Sequence, residues 1–61
     1  MLLTRASAEQ YVKDYFIKCG GDCEIRESAF SEDVVDVRFK HEEGYYTFTV
    51  WIEGGKLYGE W

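Results

Sequence analysis

The groups in this chain that could do chemistry are few: the thiols of Cys19 and Cys23, the imidazole of His41, the hydroxyls of Ser7, Ser28 and Ser31, and the adjacent carboxylates Glu42-Glu43. Cys-Gly-Gly-Asp-Cys puts three residues between its thiols, whereas the thiol–disulfide redox motif has two. Structural zinc takes about four ligands, and His41 is the only histidine. A serine nucleophile needs a base within reach, and no histidine is expected near Ser28 or Ser31, while Ser7 reads as a helix cap. Glu42-Glu43 falls in an exposed turn, without the burial that raises a carboxyl pKa for acid–base work. These residues point to a non-enzymatic chain with no cofactor and no metal site. Cys19 and Cys23 are assigned as small core residues, with a disulfide between them left open and a reducing cytoplasm favouring thiols.

The elements follow from periodicity. Ser7 followed by Gln10 is a capping-box pattern. Behind it Ala8, Tyr11, Val12, Tyr15, Phe16 and Cys19 recur at helical spacing, with Glu9–Lys13 and Asp14–Lys18 as i,i+4 pairs on the other side. Gly20-Gly21 supplies the stop, so a helix is expected over about 8–19. Strands are expected over about 23–29, 34–41, 45–53 and 56–61, with Phe30 and Ser31-Glu32-Asp33 as a turn. A two-residue turn at Glu43-Gly44 would pair Phe39 with Phe48, Val37 with Val50 and Val35 with Ile52. A second turn at Gly54-Gly55 would pair Ile52 with Leu57 and Trp51 with Tyr58. Both turns put the same apolar set on one face. The expected fold is α+β: one N-terminal helix packed on a 3–4-stranded antiparallel meander, a single two-layer domain spanning 1–61. Gly59, opposite Val50, would leave room for Tyr15 or Phe16.

The same register exports three aromatic rings. Tyr45, Trp51 and Tyr58 fall on the face away from the helix, among Thr47, Thr49, Asp36, Arg38, Lys40 and Glu60. Trp51 and Tyr58 as cross-strand neighbours stabilise a hairpin by up to about 1 kcal/mol. Exposed Trp and Tyr are also the residues that most often dominate binding energy, and a domain this small has no further layer to cover them.

With 61 residues, a chain buries only about 60% of the surface its unfolded form exposes, so eleven aromatics supply much of a thin core. Twelve acidic against seven basic side chains give a formal net charge of −5, which disfavours phosphate-backbone binding and fits a basic protein surface. The aromatic sheet face resembles a single-strand stacking platform, but its basic groove is missing. Met1-Leu2-Leu3-Thr4-Arg5 is too short in apolar length for a signal peptide or membrane span, so a cytoplasmic location without membrane contact is expected.

Carboxylates at Asp22, Glu24, Glu27, Glu32, Asp33, Asp36, Glu42, Glu43, Glu53 and Glu60 spread over loops and strand ends. They could stand where phosphates lie on a basic groove. In type, a compact, acidic, aromatic-rich, cysteine-poor chain of this length resembles the small phage-encoded inhibitors, including anti-CRISPR proteins, some of which mimic DNA. The resemblance rests on no motif and transfers no residue role. It implies a non-enzymatic inhibitor of a nucleic-acid-handling complex that does not touch nucleic acid directly. The register and the acidic distribution themselves mark Tyr45, Trp51, Tyr58, Asp36, Glu42, Glu43, Glu53 and Glu60 as the residues expected to meet a basic protein surface. The alternative is a structural accessory or self-associating module, with the aromatic face or an edge strand forming a homodimer.

Overall fold

The computed structural model describes residues 2–61. Helix α1 (Arg5–Cys19) is followed by β1 (Glu24–Ser31), β2 (Val34–His41), β3 (Gly44–Glu53) and β4 (Lys56–Glu60), which form one antiparallel sheet in the order β1-β2-β3-β4. Each strand lies beside its neighbour in sequence, and α1 covers one face. This is the expected α+β meander with all four strands present.

The helix begins a turn earlier than its periodicity predicts. Thr4 is the N-cap: its Oγ1 accepts from the Ser7 N–H at 3.0 Å, and the Ser7 Oγ accepts in return from the Thr4 N–H at 2.9 Å. Ser7 therefore serves as the third helical residue and not as the cap. Leu3 and Ala8 occupy the positions of a hydrophobic staple around that cap, and Leu3 packs on the core. The stop is as expected, with Gly20 left-handed at φ 74° and the Gly21 N–H donating to the Phe16 carbonyl at 3.0 Å. The anticipated Glu9–Lys13 and Asp14–Lys18 pairs give way to other contacts. Glu9 accepts from the Ser28 hydroxyl across to β1, and Asp14 accepts from the Gln10 amide at 2.9 Å.

The core is Ala8, Val12 and Phe16 from α1 against Val35, Val37 and Phe39 from β2 and Phe48 and Val50 from β3. The buried stripe of the helix is thus narrower than its apolar pattern, because a single helix over a flat sheet seals only its central row. Tyr11 is half-buried, and Tyr15 and Cys19 are exposed. Cys19 therefore has no core role, and Cys23 has only part of one; both are free thiols.

Two features of the sheet depart from the expected pairing. The β2–β3 turn is Glu42-Glu43, with Glu42 left-handed at φ 56°, so His41 faces Gly44, Phe39 faces Tyr46, Val37 faces Phe48 and Val35 faces Val50. Gly44 is needed for a different reason: a Cβ there would lie 2.6 Å from the Tyr46 hydroxyl, so its bare backbone makes room for that ring. The slip is two residues, which preserves every side chain's face and moves Ile52 off the core to a half-buried position at the sheet end. In β1 the register shifts between Ile25 and Glu27, a bulge at Arg26, and the strand runs on through Phe30 and Ser31, which were expected as a turn. The β3–β4 hairpin has the expected Gly54-Gly55 turn, both glycines at positive φ, and pairs Ile52 with Leu57 and Trp51 with Tyr58.

Candidate protein-binding surfaces

The outer face of the sheet carries alternate residues of all four strands in cross-strand rows, and α1 lies on the opposite side. Trp51 and Tyr58 pair directly, their rings stacked at 6.4 Å with an interplanar angle of 24°. Continuing the β2–β3 ladder one residue past Val35 and Val50 sets half-buried Val34 across from Trp51. The result is an apolar row at one end of the face.

The next row along the strands reads Ala29, Asp36, Thr49, Glu60. The Thr49 hydroxyl donates to Asp36 Oδ1 at 3.1 Å, which orients that carboxylate on the surface. Beyond it Glu27 faces Arg38, with an oxygen 3.9 Å from Arg38 Nε, while Glu53 faces Lys56 at the hairpin end. The outer carboxylates therefore differ in kind. Glu27 and Glu53 have basic residues opposite, whereas Asp36 and Glu60 flank Thr49 and border the Trp51–Tyr58 row.

Tyr45 does not join this patch. It lies six residues from Trp51 on the same strand, about 20 Å away at the usual strand rise, opposite Lys40 in the row that holds Glu24. Glu24 in turn accepts from Arg26 at 2.7 Å, and that hydrogen bond holds the guanidinium pKa above its ordinary value. The three outward rings thus form a stacked pair and a separate, 65% exposed tyrosine in a charged setting. Glu42 and Glu43 sit at Tyr45's end of the sheet, in the β2–β3 turn.

A second aromatic surface lies at that same end, on the helix side. Leu57, Gly59 and Trp61 share one side of the β4 register, and Trp61 folds onto the core's open end. Its ring stacks over Phe48 at 6.4 Å and approaches Phe39, Phe16, His41, Tyr46 and Tyr15 with centroids 5.1–6.5 Å apart. Trp61 remains 49% exposed and Tyr46 44% exposed. The alternation of β4 carried two residues past Gly59 is the sequence signal that leads to Trp61. His41 is fixed inside the cluster. Its Nδ1 lies 2.7 Å from the Asp22 carbonyl and its Nε2 4.0 Å from Glu42.

The groups that could do chemistry are dispersed. Ser7 is tied into the cap and Ser28 to Glu9, and neither contacts His41. Cys23 borders a shallow depression with Lys13, Phe16, Ile17 and Asp22, and burial, reinforced by the nearby Asp22 charge, pushes its thiol pKa up, away from a reactive thiolate. Among the described residues no group of three or more His, Cys, Asp and Glu side chains is arranged to hold a metal ion, and no helix is long and apolar enough to cross a membrane. Comparison of the chain with protein-family models, curated proteins and solved structures finds no match.

Proposed function

We propose that this chain is a non-enzymatic, acidic protein-binding domain whose outer sheet face docks on a basic protein surface. The observation that carries this reading is the neighbouring pair of rows: stacked Trp51–Tyr58, and beside it Asp36 and Glu60 on either side of Thr49. An aromatic anchor edged by carboxylates buries apolar area at its centre and meets positive charge at its rim, the usual division of labour in an interface. The net charge of −5 adds a field that speeds encounter with a cationic partner. A protein face that otherwise holds phosphates is the class of surface that fits, which makes an inhibitor of a nucleic-acid-handling complex the biological form we favour. The test is co-purification on the immobilised chain from its native host, wild type beside Asp36→Lys/Glu60→Lys. Basic proteins should be retained at low salt, released as salt rises, and lost with the double variant; retention by that variant contradicts the reading.

A second reading has its own observation. β1 is an edge strand whose Phe30 is 57% exposed, and a free edge of this kind can pair with another copy. Light scattering separates the two: a dimer converted to monomer by Phe30→Lys supports self-association, and a monomer at all concentrations removes it.

A further inference from the structure

We propose that the Trp61 end of the molecule is a second contact point, and that its occupant is an arginine side chain on a basic segment of a protein partner. The proposal rests on the reading that the partner is basic, and it concerns a surface separate from the outer face.

Three rings stand nearly perpendicular to Trp61: Tyr46 at 80°, Tyr15 at 82° and His41 at 84°. Phe48 lies nearly parallel to the indole at an interplanar angle of 20°, and the Trp61 residue is 49% exposed. Aromatic faces carry negative electrostatic potential and attract cations, Trp most strongly. A planar, weakly hydrated guanidinium stacks on such a face better than an ammonium does.

Charge at this end selects the same occupant. Glu42 reaches to 4.0 Å from the His41 ring, and Glu43 shares its turn. The C-terminus of α1 arrives here too, since the Asp22 carbonyl two residues past Gly20 meets His41, so the helix dipole adds partial negative charge. Lys13, Lys18 and Lys40 stand near this end against Asp22, Glu42 and Glu43, but Lys13 shares the Asp22 depression and Lys40 faces outward beside Tyr45, which leaves Glu42 as the charge placed against the His41 ring. Carboxylates bordering exposed rings repel phosphates and lipid headgroups alike, which leaves a cationic peptide as the fitting ligand.

The experiment uses Trp51→Phe, in which Trp61 is the sole indole fluorophore. This protein is titrated with a hexa-arginine peptide and with its neutral hexa-citrulline counterpart. A saturable Trp61 signal with the arginine peptide is expected, with affinity for the citrulline peptide lower by about tenfold or more, as befits loss of charge-assisted contacts. Glu42→Gln/Glu43→Gln in the same background should weaken arginine binding by a similar factor while leaving every ring in place. No saturable signal, an equal response to citrulline, or unchanged binding in the Gln variant overturns the proposal. If that happens while Asp36→Lys/Glu60→Lys still abolishes capture of a basic partner, the outer-face reading stands and only this one falls; if both experiments fail, the basic partner itself is wrong.

Discussion

At the scale of single residues, Gly59 shows how closely this small core is packed. A Cβ at Gly59 would lie 2.5 Å from Phe48 Cε1 and 2.8 Å from Tyr11 Cε1, both ring atoms held by the helix–sheet interface. Gly59→Ala should therefore destabilise the domain by about 1–3 kcal/mol, the usual cost of overpacking, read as a lowered midpoint in thermal unfolding. At Gly44 the nearest atoms to an added Cβ belong to the far end of the Tyr46 ring, which is 44% exposed and less confined than Phe48, so the loss from Gly44→Ala should be smaller. The need for a small residue at 59 was legible in the sequence, but its occupant was not. Tyr15 and Phe16 were the expected fillers, and Tyr11 fills the space because helical periodicity does not say how far along the sheet each turn sits. Cys23 gives a second residue-scale prediction. Its folded pKa is raised above the unfolded value, so the stability it contributes is complete below the unfolded pKa and is lost as pH rises through the folded one. Cys23→Ala should flatten part of the stability loss in the alkaline range, seen by comparing melts across pH. Alkylation of the wild type should label exposed Cys19 before Cys23.

At the scale of elements, the cap and the turns decide where helix and strands begin. Thr4→Ala removes the acceptor for the Ser7 N–H and should cost about 1 kcal/mol, whereas Gln10→Ala, at the position the sequence first marks as the capping partner, should be close to neutral, because the higher helix propensity of Ala offsets the lost Gln10–Asp14 hydrogen bond. Thermal unfolding of the two variants checks this directly, since about 1 kcal/mol moves the midpoint of a domain this size by roughly 4–8 °C. The reason for the misplacement is local. Thr4 and Ser7 form a reciprocal pair that the Ser7–Gln10 pattern obscures, and Leu3 anchors the earlier start. The β2–β3 turn differs from its expected place for a similar reason: the sequence suggests Glu43-Gly44, yet Glu42-Glu43 forms the turn with Glu42 at positive φ, and Gly44 yields space to Tyr46. Faces survived because the slip was even. The Gly54-Gly55 hairpin forms as the glycine pair predicts, with both residues at positive φ, and Gly55→Ala should cost about 1–2 kcal/mol for forcing a side chain into that region.

At the scale of the whole molecule, the order of layers and the division of faces were legible, because two hairpins assigned the same apolar set to one side. Distance along the strand was legible too, since six residues at the usual rise separate Tyr45 from Trp51 by about 20 Å. Tyr45, Trp51 and Tyr58 share a face but not a patch, and Trp61, which had no assigned role, closes the helix side of the end near Tyr45. The charge reading is a property of the entire chain, so its prediction is too: association with a basic partner should weaken steeply as salt rises, since exposed charges are screened over about 8 Å at physiological ionic strength. The aromatic contribution should persist at high salt. These two dependences meet in Trp51→Ser, whose partner affinity, measured on protein that still unfolds cooperatively on heating, tests the outer face most directly. A folded variant that binds about thirtyfold more weakly or worse, the loss typical of a central aromatic anchor, is the expected result. A folded variant that keeps its partner, or a variant that no longer folds, would contradict the assignment of Trp51 to a contact surface.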